Sequence, residues 1–444
     1  MSAPSTIERA QAALAALPPA SEWILAFSGG LDSTALLHLL HQTPNRPPLR
    51  AAHVDHGLHP DSHCWAEHCR AHCGALDIPF ECVRVQLDPT VGASVEAVAR
   101  EHRYAALRRY AHKTAIVFTA HHAEDQSETL LLNLLRGAGP AGLAAMPRLA
   151  RFGEGRLARP LLDTPRAALR ALAQTQGLTW LDDPSNDDCR YDRNYLRNRI
   201  LPGLRTRWPG LDGVLGRTAG LQAETTRLLE ELAELDLAAL NPGADHSLSQ
   251  ARLLTLSPAR QANALRLWIQ RRGFRTPPQR RINALLTQLA AAAADRITQT
   301  QWSGCIVNGW RGRLYIRAQT PEIDQCLHQP VRPGEPCGLR DGNGRLIWRE
   351  QTPGLDPARL AVQEIGLRYR RGGERLRLRA DGPNRELKKL YQERGVPPWE
   401  RQRRPLLWVG ETLIAVPGLF LNADWAKAAE CPGLWPEWTP ENGD

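Results

Sequence analysis

Ser28-Gly29-Gly30-Leu31-Asp32-Ser33 constrains this chain more than any other segment. It lies between an apolar run, Trp23 to Phe27, with the length of a buried strand, and a second run, Thr34 to Leu40, with helical spacing at Leu36, Leu37 and Leu40. A strand, a glycine turn and a helix start aim several backbone N–H groups at one point and add the positive end of a helix dipole. Adjacent glycines permit a tight turn and let an oxyanion approach the backbone without a Cβ in the way. Ser28, Ser33 and Thr34 contribute hydroxyls, and Asp32 can hold a divalent cation against phosphates. The segment is built to receive a nucleotide.

The commoner phosphate loops do not fit: there is no G-x-x-x-x-G-K-[ST], and this segment does not match G-x-G-x-x-G. The S-G-G-x-D-S string instead resembles the PP-loop of the ATP pyrophosphatases. That resemblance implies cleavage of ATP between its α and β phosphates, with AMP attached to a substrate oxygen so that a nucleophile can displace it.

At 444 residues the chain has room for two or three cored domains. No apolar stretch approaches the roughly 18 residues of a membrane span, and Met1 to Arg9 lacks the layout of a signal peptide. Nine cysteines thinly spread over this length suit a reducing compartment, so a cytoplasmic protein without a membrane partner is expected. The formal net charge is +9, and Arg368 to Pro405 alone holds 13 Arg or Lys against 5 Asp or Glu. Carrying Tyr369, Tyr391 and Trp399 as well, this stretch has the makeup of a polyanion-binding surface.

Strand-like and helix-like runs alternate through the first 210 or so residues: Leu49 to Val54, Asp61 to Leu76, Phe80 to Leu87, Ser94 to His112, Thr114 to Thr119 and Glu124 to Arg136. Alternation of this kind predicts a parallel sheet with helices on both faces and ligands beyond the carboxyl ends of its strands. Gly216 to Leu240 then reads as one long helix with Leu221, Leu228, Leu229, Leu232 and Leu235 on a stripe, suited to a core or to a dimer seam. Pro258 to Arg272 and Pro278 to Ala294 read as helices, Gln301 to Arg317 as strand-rich, and Leu406 to Val409 with Thr412 to Val416 as an antiparallel pair. The expected fold is α/β: an N-terminal parallel-sheet PP-loop domain over 1–212, a helical middle domain over 213–320 and a small basic α+β domain over 359–444. Residues 321–358, rich in Pro, Gly and Asp, are expected to form a linker or loosely structured boundary.

A second constellation is Thr119-Ala120-His121-His122-Ala123-Glu124-Asp125-Gln126-Ser127-Glu128-Thr129. On a helix starting near Ala123, Asp125 and Glu128 share a face and point toward the two histidines. Two carboxylates and an imidazole beside a nucleotide can hold Mg²⁺ and supply a general base. Asp55-His56-Gly57 ends another strand and is expected to border the adenosine. A third constellation runs from Asp182-Asp183-Pro184-Ser185-Asn186 to Arg193 and Arg197, four apart and able to grip phosphate or carboxylate together.

Taken with R-N-Y-L-R-N-R and with the C-terminal strings Arg371-Gly372-Gly373-Glu374-Arg375, Glu386-Leu387-Lys388-Lys389-Leu390 and Gly395-Val396-Pro397-Pro398-Trp399-Glu400-Arg401, these motifs resemble the tRNA(Ile)-lysidine synthases at both ends of the chain. The resemblance implies a two-step reaction on the wobble cytidine of an isoleucine tRNA with a CAU anticodon. ATP adenylates the C2 oxygen with release of pyrophosphate, and free L-lysine displaces AMP to give lysidine. It implies ATP held by Ser28, Gly29, Gly30, Leu31, Asp32, Ser33, Asp55 and His56, with Mg²⁺ on Asp32 and Asp125. It implies chemistry at Asp32, His122, Asp125, Glu128, Arg193 and Arg197, leaving open which of Asp125 and Glu128 binds lysine and which takes its proton. Arg371, Arg375, Lys388, Lys389, Arg394, Arg401, Arg403 and Arg404 are implied contacts to tRNA, and a homodimer is implied. The chain departs from the family pattern at Glu124, where Asp is expected, and at Leu58-His59-Pro60, where a basic residue is expected.

Three other readings stay open at this point. A PP-loop tRNA thiolase would deliver sulfur, but this chain has no C-x-x-C, only His63-Cys64, His68-Cys69 and His72-Cys73 in one helix-like segment. A tRNA-binding protein without catalysis would not need Asp32. A small-molecule amide synthase would not need the basic terminal stretch.

Overall fold

The computed structural model describes residues 6–57, 62–85, 95–182, 188–292, 297–427 and 431–440. Two compact units divide it, Met1–Glu231 and Leu232–Asp444. Leu58 to Pro60 and Asp183 to Asn186, both singled out above, lie outside the described residues.

The first unit runs α1 (Thr6–Ala15), β1 (Glu22–Ala26), α2 (Leu31–His41), β2 (Leu49–Asp55), α3 (Ser62–Gly74), β3 (Phe80–Arg84), α4 (Val95–Arg108), β4 (Ala115–Phe118) and α5 (Ala123–Leu135). It continues through α6 (Pro140–Leu143), β5 (Leu149–Phe152), β6 (Gly155–Ala158), α7 (Arg166–Thr175), α8 (Asp192–Tyr195), α9 (Leu201–Arg207) and α10 (Leu211–Ala239). Six strands form one sheet in the order β3-β2-β1-β4-β6-β5. All neighbours are parallel except β5, which pairs antiparallel with β6.

Burial explains why the central strands read as continuous apolar runs. Trp23, Leu25 and Phe27 pack with Leu36, Leu37 and Leu40 of α2 on one face, while Ile24, Ala52 and Val117 pack with Leu107 of α4 on the other. The chain steps outward from β1 to β2 and β3, then returns across β1 to β4, so strand order reverses between β1 and β4. A crevice opens at such a reversal, beyond the carboxyl ends of the two strands. Ser28 follows β1 and Thr119 follows β4, which brings the first two sequence constellations to one place.

The second unit starts with β7 (Leu248–Ser249), α11 (Gln250–Thr255), α12 (Pro258–Arg271), α13 (Gln279–Ala291), β8 (Thr298–Trp302), β9 (Cys305–Trp310) and β10 (Arg313–Ala318). The middle region is therefore not purely helical. An antiparallel sheet, β7-β10-β9-β8, packs Val307 and Leu314 against Leu265, Trp268 and Ile282 of α12 and α13.

Residues 321–358 correct the expected linker. They carry β11 (Gln329–Val331), β12 (Cys337–Gly338), β13 (Arg345–Gln351) and α14 (Pro357–Leu360). After these come β14 (Ile365–Arg368), β15 (Arg375–Arg377), β16 (Asn384–Glu386), α15 (Leu387–Arg394), α16 (Pro398–Arg401), β17 (Leu406–Val409), β18 (Thr412–Val416), β19 (Phe420–Leu421) and β20 (Gly433–Thr439). Strand β11 edges the sheet β11-β14-β17-β18-β19, and β13 pairs with β20 along its whole length. The glycines that suggested looseness are tight turns between short strands: Gly334, Gly342 and Gly344 have φ of +82°, +71° and +96°. Leu346 is fully buried in the same core as Leu367 and Ile414.

Helix α10 spans the long stretch expected, but Leu221, Leu228 and Leu235 on its stripe are exposed. Among the described residues no helix is long and apolar enough to cross a membrane.

Candidate active site

The loop after β1 is shaped by its glycines. Gly29 has φ of +79°, and a Cβ there would lie 2.8 Å from Cys69 Sγ, so any larger residue is both strained and blocked. Gly30 precedes the first turn of α2; Ser33 Oγ donates to the Gly30 carbonyl at 3.0 Å and lies 3.0 Å from Ser28 Oγ. The hydroxyls thus brace the turn while the helix N-terminus faces the crevice. Asp32, in the first turn of α2, remains a quarter exposed, with its carboxylate 3.3 Å from Arg166 Nε and 3.7 Å from His122 Nε2.

Opposite it, His122 ends the loop after β4, and its backbone N–H donates to Asp125 Oδ2 at 3.1 Å, which closes the start of α5. The His122 ring is buried, with Nδ1 donating to Glu124 Oε2 at 2.9 Å and Nε2 lying 3.3 Å from Asp125 Oδ2. Burial by itself disfavours the imidazolium, but Asp125, the bond to Glu124 and Asp32 outweigh that and raise its pKa to about 9. His121 goes the other way: burial lowers it to about 3 despite Asp125, and its Nδ1 lies 2.8 Å from Thr119 Oγ1. Adjacent histidines are therefore one neutral and one cationic.

Asp125 and Glu128 do share one face of α5, and Arg197 grips both. Its Nε and Nη2 donate to Glu128 Oε1 and Oε2 at 2.6 and 2.8 Å, and Nη2 also donates to Asp125 Oδ1 at 2.9 Å. Arg193 Nη2 donates to Thr129 Oγ1 at 2.8 Å, with its Nε 3.8 Å from Glu128 Oε2. The two arginines do not sit on a regular α-helix: α8 gives way to a π-turn over Leu196–Ile200, which carries Arg197. Such turns are frequent at functional sites. Burial opposes charge on Asp125, yet His122, His121 and Arg197 lower its pKa to about 2. For Glu128, which is wholly buried, desolvation prevails over Arg197 and raises the pKa.

One contributor was missed by sequence reasoning. Arg166 begins α7, follows β6 and crosses to Asp32, while its backbone N–H donates to both carboxylate oxygens of Glu124 at 3.1 and 3.0 Å. Glu124 thus ties α5 to α7, and its carboxyl is lowered by the bond to His122 against the burial that would raise it. The only signal at Arg166 was Pro165 before it, which marks a helix start but not a function. Asp55 and His56 lie apart from these ion pairs. Asp55 Oδ1 accepts from Gly57 N at 2.9 Å, and its Oδ2 is 3.8 Å from Arg84. Both ring nitrogens of His56 are buried without a partner, and burial followed by Arg103 lowers it to about 4.

Comparison with known proteins fits this geometry. A PP-loop domain model matches residues 4–204, a TilS substrate binding domain model residues 248–315, and a TilS substrate C-terminal domain model residues 365–438. The tRNA(Ile)-lysidine synthase of Alkalilimnicola ehrlichii is 41% identical across 91% of this chain and 91% of its own length. That of Pseudomonas putida is 42% identical across 94% and 98%, and that of Methylococcus capsulatus 39% across 96% and 98%. The chain belongs to the tRNA(Ile)-lysidine synthases.

In this tRNA(Ile)-lysidine synthase the basic stretch of the second unit divides in two. Arg371, Arg375, Lys388, Lys389 and Arg394 are exposed. Arg401, Arg403 and Arg404 are half-buried and spend their donors on the domain itself. Arg401 Nε donates to the Val396 carbonyl at 2.8 Å, Arg403 to Pro321 O and Asn343 Oδ1 at 2.6 and 2.7 Å, and Arg404 to Pro417 O at 2.8 Å. The R-G-G-E-R string is a self-closed turn in which Glu374, buried, accepts from the backbone N–H groups of Arg371 and Gly372.

The histidine and cysteine segment forms α3. Cys69 and Cys73 are buried thiols pushed up to about 12 by burial, Cys69 also by Cys73. Among the described residues, no group of three or more His, Cys, Asp or Glu is arranged to hold a metal.

Proposed function

We propose that this chain ligates free L-lysine to C2 of the wobble cytidine in the CAU anticodon of isoleucine tRNA, through a cytidine adenylated by ATP. As a tRNA(Ile)-lysidine synthase it is an ATP-dependent ligase that modifies tRNA, and the PP-loop domain is its ATP-using part. One observation carries the finer reading: the phosphate-binding loop and the acidic face of α5 meet at the same sheet reversal. Nucleotide and amine can then share one crevice, which is what an adenylate followed by its displacement requires.

The backbone at Gly29 and Gly30, with Ser28 and Ser33, receives the phosphates. Asp32 fits a magnesium ion, because its oxygens are hard donors that remain accessible, and magnesium is usually held by one or two carboxylates plus substrate phosphates. Asp125, the other candidate ligand, has its oxygens already engaged by Arg197 and the His122 backbone. When bound, the ion would offset charge on the triphosphate. His122, cationic beside Asp32, adds a second positive group toward the departing pyrophosphate.

Lysine attacks only as the free amine, and its ordinary pKa is about 10.4. The low pKa of Asp125 supports its role in holding the cation, and the raised pKa of Glu128 supports its role as proton acceptor. Lysine must then take over part of the Arg197 fork, which frees that guanidinium for the adenylate phosphate. Buried, protonated thiols and the lack of a C-x-x-C favour lysine over sulfur as the second reactant. The exposed leucines of α10 support a homodimer, and ATP and tRNA as substrates support a cytoplasmic setting.

Labelled lysine supplied with unmodified isoleucine tRNA, ATP and magnesium tests the reaction. ATP-dependent incorporation is expected. Pyrophosphate release without incorporation would keep the adenylation step and replace the nucleophile.

A further inference from the structure

We infer that a cavity in the second unit takes one unpaired nucleotide of RNA, its base against Trp399 and its phosphate between Arg317 and Arg403. The inference rests on the reading that this unit binds tRNA. The cavity holds about 290 Å³, near the lower end for small-molecule sites. Arg317, Arg403, Arg404, Trp399 and Trp438 all line it.

Positive charge exceeds negative at this cavity, with Asp341 offsetting Arg403 only in part. Among the described residues Glu400 is the only acid on its wall, and it already pairs with Arg404 at 3.3 Å. Among the described residues no carboxylate forms an ion pair with Arg317 or Arg403. Arg403 is held by Pro321 O and Asn343 Oδ1, while Arg317 Nε donates to Asn308 Oδ1 at 3.2 Å. Burial, then Arg403, lowers the Arg317 pKa, as two like charges sharing a partly dry wall must. An anion between them relieves that repulsion.

The aromatic walls narrow the class of anion. Trp399 is braced by Tyr315 and Trp310 at centroid distances of 5.3 and 5.9 Å, and Arg317 Cζ lies 6.0 Å from its ring. Trp438 is fixed by Nε1 donating to the Asn343 carbonyl at 2.8 Å, and Arg404 covers its ring at 4.9 Å. Pre-braced indoles beside cations suit a planar base joined to a phosphate. A small carboxylate would use the arginines and leave the indoles idle. Bases paired within a duplex already have their faces stacked on neighbours, so the indoles suit an unpaired one.

Fluorescence anisotropy with a labelled single-stranded RNA hexamer tests this on the full chain, with Ala318→Phe to fill the cavity and Arg317→Gln to remove one cation. Wild type is expected to bind the hexamer, and each variant to bind it about tenfold more weakly, the scale of one lost stack. A blunt RNA duplex should bind all three proteins alike. Equal hexamer binding by wild type and both variants would overturn the inference, as would no hexamer binding by wild type. Displacement of the hexamer by an equal concentration of AMP or inorganic phosphate would also overturn it, in favour of a free-nucleotide or anion site. Isoleucine tRNA binding by wild type, measured alongside, separates these failures from failure of the tRNA-binding reading itself.

Discussion

The two ends of this chain handle charge in opposite ways. In the crevice of the first unit, Asp32, Glu124, Asp125 and Glu128 face Arg166, Arg193, Arg197 and cationic His122, and every one is bonded to another member or to the backbone between them. In the second unit Arg371, Lys388, Lys389 and Arg394 stand exposed on a small domain whose excess charge is positive. The first arrangement fixes geometry, since each side chain's position is set by its partner. The second sets a field, since exposed cations attract a polyanion at any nearby position. A single-sign surface tolerates the loss of one member; a closed network of pairs does not.

Arg197 is where that contrast can be broken most sharply. Arg197→Ala removes the fork from buried Glu128, leaving it only Arg193 at 3.8 Å, and leaves Asp125 to His122, and should cost about 3–5 kcal/mol in urea unfolding. Arg197→Lys keeps the charge but cannot reproduce the fork, so it should cost less while still losing lysine incorporation. A cost under about 1 kcal/mol for Arg197→Ala, as for an exposed pair, would mean that the network does not fix the site. Next in size is Asp32→Ala. It should reduce ATP-dependent pyrophosphate release by about 10²–10³, the scale of one lost group at a developing charge, and leave tRNA affinity intact. Equal loss of both would place Asp32 in the fold rather than in the chemistry.

His122 sharpens the same point through pH. Its folded pKa is raised from 6.5 to about 9, so its stabilisation is fully present below 6.5 and is lost as pH climbs to about 9. Wild-type Tm should therefore fall across that window, and His122→Asn should flatten the fall while lowering Tm at pH 6.5. Asp125, lowered to about 2 from 3.8, contributes with the opposite sign: its stabilisation is present above 3.8 and disappears as pH drops toward 2. A wild-type melting profile that stays level from 6.5 to 9 would show His122 to be neutral in the folded protein.

Much of the first unit was legible because its motifs sit where a parallel sheet needs special residues. Gly29 is demanded by its positive φ and by Cys69 beneath it, and His122, Asp125 and Glu128 are placed by the start of one helix. Arg166 was not legible, because its partner Asp32 lies on a different strand–helix unit and only the closed sheet brings them together. The π-turn at Arg197 was hidden for a similar reason: nothing in Leu196 to Ile200 departs from helical composition. In the second unit the motifs pointed to the domain but not to the bonds its residues make within it. Glu374 reads as one acid in a basic string, yet it closes the turn that the string forms. The segment 321–358 looked like a linker because short strands joined by glycine turns have the composition of loops.

The smallest expected effect divides the basic stretch itself. Lys388 and Lys389 lie exposed on α15, whereas half-buried Arg401 donates to the Val396 carbonyl of its own domain at 2.8 Å. If exposed cations provide the contacts to tRNA, Lys388→Ala and Lys389→Ala should each reduce the log–log salt dependence of binding by about 0.7–0.9 and leave Tm unchanged. Arg401→Ala should do the reverse, lowering Tm with a smaller change in slope, because its donor serves the protein first. Measuring Kd for isoleucine tRNA from low to moderate salt, beside thermal melts, separates the two. A full unit of slope lost at Arg401 with Tm intact would show that a guanidinium engaged by a carbonyl still reaches the nucleic acid. The division between fixed and free cations would then fail in this half of the molecule, while the paired network around Arg197 would be untouched.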